Sequence, residues 1–467
     1  MNINKTLRWV LGLVLFSAAI AAAATAASLQ IYRYPPPLQY SHHNDDFTVQ
    51  ARTPEGPWQD LYEWNVRVDN DKPQDASMVY FDFTGRVEIR IQKNNGRFSN
   101  VTIGPRTNAP KPSVKNGIVH LTLDRPQNFA VFFDDDRLHN LHIFAGAPIA
   151  PPTGTDVRRF EPGLHRPDNG ADYFTARSGE TLYLEGGAVL VGGFKLDSVD
   201  NVRVVGRGLI LPPGRLSASK STRVSIEGPI VITPDNGVGA FIMSKDVSMV
   251  DVKAITGGKW TDGINIYSSE RVTLDRLFMR TSDDCVTVYA HRWESYGDAR
   301  NIKVTNSTFW PDIAHAMFVG MHGNTVNPET IEQVTFDNID VVSLDEDEPE
   351  YEGVMAITAG DSNLVRDITF SNIRVDRIEE GKLFNLHVGH NAKYNTSVGR
   401  GIERIVFRNV SYAGEGMPSA SVIFGFDTDR MVREVLIENL VIGGKKILDA
   451  KSGDIEIGPF AERVQFK

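Results

Sequence analysis

The sequence predicts an all-β protein in which a right-handed parallel β-helix follows an N-terminal β-sandwich. Three observations predict this fold class. A degenerate unit recurs from about residue 200, apolar residues alternate at period 2 inside each unit, and residues 28–165 alternate in the same way without the repeat. Period-2 alternation indicates strands, and repeats of this length indicate units that stack on one another.

The recurring unit begins with two apolar residues at alternate positions. Its copies start at Val202, Val224, Val247, Val272, Ile302, Val334, Ile368, Ile405 and Val435. Successive starts are 22, 23, 25, 30, 32, 34, 37 and 30 residues apart. A strand-only unit of this length fits a parallel β-helix with insertions in its later turns. A leucine-rich horseshoe has similar spacing, but its leucine and helical patterns are missing.

An asparagine stands four residues after the start of each of the last five units. These residues are Asn306, Asn338, Asn372, Asn409 and Asn439. Asparagine tolerates left-handed backbone geometry and can bond the same residue type on a neighbouring strand. We therefore expect a structural ladder of side chains at one turn of the helix.

Residues 28–165 read as a separate domain because turns rich in Gly, Pro and Asn separate short alternating segments. The clearest segments are 81–83, 87–91, 119–123 and 141–143. This pattern is typical of an antiparallel sandwich. Residues 148–170 form the expected connection, and residues 179–191 the expected first coil, which caps the solenoid. The β-helix domain is assigned to residues 166–467.

The first residues resemble a secretory signal peptide. Lys5 and Arg8 precede an apolar run at residues 9–23, and small residues follow at 24–27. The apolar run is short for a bilayer span, which favours cleavage over an uncleaved anchor helix. We therefore predict a signal peptide at residues 1–27 and a secreted or periplasmic protein with no stable membrane insertion after cleavage.

Composition excludes several classes of function. The formal net charge of -10 and the lack of a basic run argue against nucleic acid as a partner. Cys285 is the only cysteine, so neither an intramolecular disulfide nor a cysteine-based metal cluster can form. Acidic stretches at residues 42–46 and 134–136 lack metal-ligand geometry and are assigned to surface turns.

Two short stretches share one register and carry carboxylates. Asp262 and Asp284 each stand two and four residues before apolar positions, and the 22 residues between them make about one coil. Neighbouring strands lie roughly 4.8 Å apart, so the two carboxyl groups should perturb each other's pKa and divide acid and base roles. Asp283 can share the cleft only if the chain bends there, because adjacent strand residues face opposite sides.

The same register continues on later coils. His315 has the same position on the next coil, after an insertion. Asn236, Glu352 and Lys382 are expected to extend this row of polar residues across the coils. For these last three residues a solvated ridge is the preferred interpretation. Three Asp followed by a His instead indicate a reactive cleft, in which one carboxylic acid protonates a leaving oxygen and another carboxylate activates water. Such chemistry needs no metal and no other cofactor.

Long insertions follow the strands that carry these residues, at 289–300, 320–332 and 387–401. They should form a wall along the cleft, where aromatic faces can stack on sugar rings. The predicted substrate-binding residues are Trp260, Tyr289, His291, Trp293, His315, Glu352 and Lys382. Ordinary anchoring of loops is the alternative role for the aromatic residues. The predicted partner is a polysaccharide or oligosaccharide.

At the carboxylates the chain resembles the polygalacturonase family of glycoside hydrolases. The similar stretches are Trp-Thr-Asp-Gly-Ile-Asn-Ile around Asp262 and Ser-Asp-Asp-Cys-Val around Asp284, and the resemblance covers about residues 180–440. It implies a pectin-lyase-like β-helix, with Asp283 as the general acid and the other two Asp activating water in an inverting mechanism. His315 stands where that family has Gly-His-Gly, without the glycines.

One departure from that family concerns the substrate. Its Arg-Ile-Lys, which holds the substrate's uronate carboxylate, is replaced by the acidic residues 344–350. Like charges would repel a uronate. The dextranase and isopullulanase family combines an N-terminal sandwich, the same three Asp and no Arg-Ile-Lys, and this chain is similar to it in architecture. That resemblance implies a neutral polysaccharide, such as a dextran-like or pullulan-like glucan.

Three alternative functions remain open from the sequence. A polygalacturonase-type pectin hydrolase would use the same three Asp. A polysaccharide lyase on the same fold would need a base, for which Lys382 is the candidate in register. A non-catalytic glycan-binding protein would use the β-helix only as a surface, since the fold alone does not specify an activity.

Overall fold

The computed structural model of the chain describes residues 27–233 and 237–467. Residues 1–26 of the predicted signal peptide and Asn236 of the predicted row lie outside the described residues. Within the described ranges, no helix is both long enough and apolar enough to cross a membrane.

The N-terminal domain consists of two sheets. Its elements are β1 (Ser28–Gln30), α1 (Pro36–Ser41), β2 (Phe47–Arg52), β3 (Gln59–Asp60), β4 (Trp64–Val68), β5 (Gln74–Thr84), β6 (Val87–Lys93), β7 (Val101–Gly104), β8 (Ser113–Lys115), β9 (Ile118–Leu123), β10 (Gln127–Phe133) and β11 (Leu141–Gly146). One sheet has the order β1-β5-β11-β10-β7 with β4 beside β5, and the other the order β3-β2-β6-β9-β8. Apolar side chains from both sheets form one core, which confirms the predicted sandwich. The pairing of β5 with β11 is parallel, a departure from the antiparallel pattern that was expected.

The rest of the chain forms a parallel β-helix of stacked coils. Its first elements are β12 (Val157–Phe160), β13 (Gly163–His165), a 3-10 turn (Asp168–Gly170), β14 (Tyr173–Phe174), β15 (Thr181–Leu184), β16 (Ala188–Val191), β17 (Gly193–Asp197), β18 (Asp200–Gly206), β19 (Leu209–Leu211), β20 (Leu216–Ser219), β21 (Thr222–Glu227), β22 (Ile230–Thr233), β23 (Gly239–Ile242), β24 (Lys245–Val250), β25 (Lys253–Thr256), β26 (Ile264–Tyr267), β27 (Glu270–Asp275), β28 (Phe278–Thr281) and β29 (Val286–Tyr289). The later strands are β30 (Ala299–Pro311), β31 (Met317–Gly320), β32 (Thr330–Val341), β33 (Met355–Ala359), β34 (Leu364–Ile378), β35 (Phe384–Val388), β36 (Gly401–Gly416), β37 (Ser421–Phe424), β38 (Val432–Ile442), β39 (Lys445–Ile447), β40 (Ile455–Ile457) and β41 (Ala461–Phe466).

Two long sheets run along the helix. A nineteen-stranded sheet carries the recurring unit, and an eleven-stranded sheet has the order β14-β17-β20-β23-β26-β29-β31-β33-β35-β37-β40. Within each strand of the eleven-stranded sheet, alternate side chains enter the core or face outward. In β26, for example, Ile264 and Ile266 join the core, while Asn265 and Tyr267 do not. The outward-facing side of this sheet carries the residues that the sequence singled out.

The register of the repeat agrees with the sequence prediction. Val202 pairs with Val224, and every later unit start pairs with the next through to Ile405 and Val435. The start of the helix was predicted too late. Strand β12 already pairs in parallel with β15, so the first coil begins at Val157 and precedes the stretch 179–191.

The asparagine ladder is present at one turn of the helix. All five Asn have positive φ values. Asn338 donates to Asn306 at 2.7 Å, Asn409 to Asn372 at 3.0 Å and Asn439 to Asn409 at 2.9 Å. The ladder is interrupted once, where Asn372 donates to Asp337 at 2.7 Å. These bonds confirm the structural role that was predicted for the repeated Asn.

A buried guanidinium joins the sandwich to the back of the helix. Arg280 of β28 forms an ion pair with Asp312 at 2.9 Å and donates to Asn140 Oδ1 at 2.8 Å and to the Arg137 carbonyl at 2.9 Å. Its guanidinium also lies 3.7 Å from the centre of the Trp310 ring. Asn140 and Arg137 belong to the N-terminal domain, so these bonds fix one domain against the other.

A second buried arginine repeats this arrangement nearer the start of the helix. Arg207 donates to Asp82 of the sandwich at 2.9 Å and to the Ala147 carbonyl at 2.8 Å, and it pairs with Asp251 of the helix at 2.7 Å. The Tyr32 hydroxyl donates to Asp82 at 2.7 Å. Apolar side chains of both domains pack around the two buried networks, and within the networks each charge has a partner.

We predict that Arg280→Met lowers the free energy of unfolding by about 3–5 kcal/mol, because it leaves Asp312 buried without its countercharge. Chemical denaturation followed by tryptophan fluorescence measures the change. Arg86→Met is the matched control, because its ion pair with Asp124 is exposed to solvent and contributes little. Equal losses in the two variants would contradict a special role for Arg280.

Candidate active site

Three carboxylates lie at bends that precede two neighbouring strands. Asp262 precedes β26 and Asp284 precedes β29, and these strands pair in parallel. The chain bends at residues 282–283, and the Asp283 carboxylate accepts a hydrogen bond from the Asp284 N–H at 2.9 Å. This is the bend that the sequence required. One carboxylate oxygen from each of the three residues lies within 4.8 Å of the other two.

Buried hydroxyl groups tie the two bends together. The Thr261 hydroxyl donates to the Gly258 carbonyl at 2.8 Å and contacts the Ser282 hydroxyl. The Ser282 N–H donates to the Thr256 hydroxyl at 3.1 Å. Thr261 immediately precedes Asp262, and Ser282 immediately precedes Asp283. Their contacts therefore fix the relative position of Asp262 and Asp283.

Asp284 is buried and pairs with His315. One Asp284 oxygen accepts a bond from the His315 backbone N–H at 3.0 Å and contacts the ring Nδ1 at 2.6 Å. The ring Nε2 faces the Tyr351 carbonyl oxygen. Because both ring nitrogens face acceptors, only the doubly protonated imidazolium can donate to each. Burial lowers the pKa of His315, but the Asp284 carboxylate more than offsets this, so the pKa is raised.

Tyr351 completes the contacts around Asp284. Its hydroxyl lies 3.4 Å from the second Asp284 oxygen, and the Tyr289 hydroxyl lies 3.5 Å from the same atom. The Tyr351 ring packs edge-on against the His315 ring with centroids 4.2 Å apart, and it stacks on Tyr394 at 4.7 Å. Tyr351 therefore constrains the imidazole through both its carbonyl and its ring.

The other two carboxyl groups favour their protonated forms. Burial, followed by the charges of Asp262 and Asp284, raises the pKa of Asp283 well above its usual range. Burial and the Asp284 charge raise the pKa of Asp262 to about 7, although Asn265 donates to it at 2.8 Å. Both environments disfavour the ionised carboxylate.

The same three carboxylates are close enough to hold a cation, because carboxylate oxygens are ligands of Mg²⁺ and Ca²⁺. A ligand must be deprotonated to bind a metal. A cation bound here would therefore have to displace the protons that the raised pKa values of Asp283 and Asp262 favour. That the reaction needs no metal stays a prediction.

The predicted aromatic residues occupy different positions around the carboxylates. The buried ring of Tyr289 stacks on Tyr267 at 5.7 Å, and Trp293 meets Tyr267 edge-on at 6.1 Å. Trp293 and Trp260 expose 71% and 73% of their surface, which leaves ring area free for a ligand. His291 is turned toward Glu329, 4.0 Å away. Their roles in substrate binding stay predictions.

Three other predicted substrate-binding residues are buried. His315 lies behind Asp284 and is inaccessible to solvent. Lys382 and Glu352 form a buried ion pair, and Lys382 also donates to the Pro349 carbonyl at 3.0 Å. The solvated ridge that was preferred for Glu352 and Lys382 is therefore wrong, because both side chains are buried. The predicted register of Glu352 was wrong by one residue, because Met317 pairs with Met355 and therefore places Gly353 opposite His315.

Residues 349–352 form a short wall on the sheet face, which we call the wall segment. The buried Asn385 side chain donates to the Glu350 carbonyl at 3.4 Å and to the Glu352 carbonyl at 2.9 Å. With Lys382, these bonds hold the wall segment from below. Tyr351 projects from it toward Asp284, and Glu350 lies on its other side.

Sequence reasoning missed two cations near Asp262. The positive charges of Arg215 and Arg292 act to lower the pKa of the Asp262 carboxyl, against its net rise. Arg292 contacts the ring nitrogens of His322, the nearer at 2.6 Å, and stacks on Trp293 at 4.5 Å. Neither arginine forms an ion pair within the described part of the chain. No motif marked them, because they lie on a different coil and in a loop.

The chain is similar to known proteins in sequence and in structure. A family model described as "Glycosyl hydrolases family 28" matches residues 212–452. Dex49A from Penicillium minioluteum is similar in structure, with a TM-score of 0.62 at 14% identity over 91% of this chain and 94% of that chain. Polygalacturonase from Erwinia carotovora ssp. carotovora gives a TM-score of 0.46 at 14% identity over 70% of this chain and 89% of that chain. The likeness to Dex49A supports the fold, a β-helix behind an N-terminal domain.

We predict that His315 is an imidazolium at pH 7.5, above the usual imidazole pKa of about 6.5. Nitrogen-15 NMR of histidine-labelled protein should show protons on both ring nitrogens. In Asp284→Asn the countercharge is lost, burial prevails and the ring should become neutral. His322 is the internal control, because burial and Arg292 lower its pKa to about 3 and it should stay neutral in both proteins. A neutral His315 in the unsubstituted protein would contradict the pairing.

Proposed function

The chain belongs to glycosyl hydrolases family 28, and from that membership we propose that it cleaves a neutral polysaccharide by single displacement with water. The observation that carries the proposal is the trio of Asp262, Asp283 and Asp284, with carboxylate oxygens within 4.8 Å of one another. Glycoside hydrolysis requires one carboxylic acid and one carboxylate on either side of the scissile bond. The trio supplies both.

Asp283 is proposed as the general acid. Burial and the neighbouring carboxylates raise its pKa well above the usual range, which favours the protonated form that can donate to the leaving oxygen. Asp262 and Asp284 are proposed to hold the attacking water. Oxygens up to 4.8 Å apart can both accept hydrogen bonds from one water molecule, since each bond is about 2.7–2.8 Å long. His315 and Tyr351 would act indirectly, by fixing the Asp284 carboxylate.

Hydrolysis at this site can proceed with inversion or with retention of the anomeric configuration, and the spacing of the carboxylates bears on which occurs. Most inverting pairs lie about 6.5–9.5 Å apart and retaining pairs about 5–5.5 Å apart, so a spacing within 4.8 Å is nearer the retaining range. The third carboxylate supports inversion, because it lets two Asp bind a water while the remaining one acts as acid. The resemblance to the polygalacturonase family implies the same course.

The proposal of a neutral substrate rests on the acidic residues beside the site. Glu346 is buried next to the trio, and its charge contributes to the raised pKa of Asp283. Glu348 is partly neutralised, since Lys393 pairs with it at 2.7 Å and Tyr394 donates to it at 2.9 Å. A uronate on this side would meet net negative charge.

A glycan with an anionic sugar is the second candidate, and Arg215 and Arg292 favour it. Both guanidinium groups lie on the Asp262 side, without a carboxylate partner among the residues that the structure describes. Guanidinium groups bind carboxylates with two parallel bonds. A lyase is less compatible with the chain, because its candidate base Lys382 is occupied by the buried Glu352.

Export is part of the proposal. The basic residues, apolar run and small residues at the start of the sequence support a cleaved signal peptide and a secreted or periplasmic enzyme. A polysaccharide cannot easily enter a cell, so an enzyme for it must meet its substrate outside. Mass spectrometry of the mature N-terminus from the exported protein tests this, and an intact residue 1 would contradict cleavage.

We expect Asp283→Asn to lower turnover about 10²–10⁴-fold without loss of fold, because the leaving oxygen loses its proton donor. The loss should be much smaller on a substrate whose leaving group needs no protonation.

The parent enzyme should gain activity as pH rises through about 7, where Asp262 ionises, and lose it where Asp283 deprotonates. Asp429→Asn, at an exposed carboxylate outside the site, is the control. Near-normal activity of Asp283→Asn on a natural glycan would remove it from the acid role.

We expect the first-formed product to have the inverted anomeric configuration. Attack by water held between Asp262 and Asp284 displaces the leaving group in one step, whereas a covalent Asp intermediate would give retention. Proton NMR during the first minutes of hydrolysis, before mutarotation, distinguishes the two. A retained anomer would replace the water-activating role with that of a nucleophile.

We expect turnover on neutral glucans to exceed turnover on polygalacturonate by at least tenfold, a difference of about 1.4 kcal/mol in transition-state binding. Parallel assays at low and high salt test the charge argument, since repulsion is screened over about 10 Å at 0.1 M salt. Arg215→Met and Arg292→Met separate the two candidates. If polygalacturonate is cleaved faster at low salt, and these variants lose that activity, the anionic substrate is correct.

A further inference from the structure

A cavity lies on the outward-facing side of the eleven-stranded sheet, on the side of the wall segment that faces away from the three Asp residues. We call it the distal cavity. Its volume is about 310 Å³, and its lining includes Glu350, His387, Ser419, Val422, Phe424 and Glu456. This volume is at the lower end of the range of small-ligand pockets, about 300–1,000 Å³. The distal cavity contains none of the three Asp residues of the candidate active site.

The distance from the active site follows from the strand register. Val286 pairs with Met317, Met317 with Met355 and Met355 with Phe384. Lys382, which lines the distal cavity, is therefore three coils beyond Asp284. At about 4.8 Å a coil, this near edge of the cavity is about 14 Å from Asp284 along the helix. Phe424 and Glu456 lie one and two coils farther, at about 19 and 24 Å. A polymer can cover this distance, and a single sugar unit cannot.

The distal cavity is pre-formed on its active-site side. The wall segment closes it there, and the wall segment is held by Asn385 and by the buried Lys382–Glu352 ion pair. Strands β35, β37 and β40 supply the floor through outward-facing side chains. A ligand would thus bind to a fixed surface and cause little loss of conformational entropy in the protein.

The lining combines an apolar floor with a polar rim. Phe424 and Val422 offer the apolar surface on which the C–H face of a sugar can pack. Glu350, Glu456 and Ser419 offer oxygens to hydroxyl groups. Burial lowers the pKa of His387, so its ring is neutral at pH 7; the ring N–H donates to the Glu350 backbone, and the other ring nitrogen can accept from a sugar hydroxyl.

The charge of the lining selects against an acidic ligand. Glu350 and Glu456 are both carboxylates, and the cation among the lining residues, Lys382, is paired with Glu352. A uronate would therefore meet two negative charges and no free ammonium group. A neutral sugar has hydroxyl donors for the same oxygens.

We propose that the distal cavity binds a neutral sugar unit of the polysaccharide whose bond is cleaved at the three Asp residues. The proposal rests on the proposed function and adds a second contact four to five coils, about 19–24 Å, from the reacting bond. A chain held at both places has a high effective concentration at the active site. The distal cavity thus favours long chains over short ones.

Two variants test the proposal, Phe424→Ala and Glu456→Gln, with Leu448→Ala as the matched control. Leu448 is an exposed apolar residue of the same C-terminal coils and does not line the cavity. We expect both variants to lose about tenfold in kcat/KM on a long neutral glucan, a change of about 1.4 kcal/mol. On an aryl glycoside, too short to reach the cavity, they should match the parent enzyme within about twofold.

Affinity electrophoresis in gels that contain the same glucan tests binding without turnover. The parent protein and Leu448→Ala should be retarded, and the two cavity variants should migrate faster than either. Equal losses on long and short substrates, or unchanged retardation of both variants, would overturn the distal site. Retardation that depends on the cavity, in a protein that hydrolyses no glycan, would keep the distal site and refute the proposed function.

Discussion

Backbone hydrogen bonds between neighbouring coils fix the positions of the three Asp residues and of His315 along the helix axis. The bond from the Gly263 N–H to the Asp284 carbonyl, at 2.7 Å, holds the two acid-bearing bends one coil apart. The Cys285 N–H in turn donates to the His315 carbonyl at 2.8 Å, which places the imidazole on the next coil. Like charges at this spacing repel one another. The carboxyl groups stay close because the backbone bonds between the coils hold the two bends in place.

Proton sharing within the trio follows from that forced proximity. Asp284 accepts a bond from the His315 backbone N–H and contacts the ring Nδ1, whereas burial and neighbouring charges raise the pKa of Asp283 and Asp262. Acid and base roles are therefore a consequence of which carboxylate receives the most donors.

The sequence predicted the regular part of this structure because its signal is local. Alternation at Val272 or Ile368 reports the strand itself, and a constant inward face made the pairing register predictable to the residue. The bend at Asp283 was also predictable, since two neighbouring carboxylates could share a cleft in no other way.

Insertions carry no period, and there the sequence prediction failed. The insertion before β33 hid a one-residue shift, so Gly353 rather than Glu352 lies opposite His315. Tyr351 could not be recognised, because its contacts to Asp284 come from a wall segment that no repeat specifies. The early first coil at Val157 was missed because the sequence there is dominated by Pro and Gly, which typically mark a connection.

The position of the wall segment limits how this enzyme can evolve. In a stacked solenoid, an insertion between coils is usually free to change in length and composition, so a lineage can acquire a new substrate without altering its reactive groups. Here the insertion that shapes the cleft also supplies the Tyr351 carbonyl that faces Nε2 of the His315 ring and contributes to its raised pKa. A mutation that remodels the cleft at this place changes the acid–base balance as well. New specificity should therefore arise first in the loops after β29 and β35, where variation leaves that carbonyl in place.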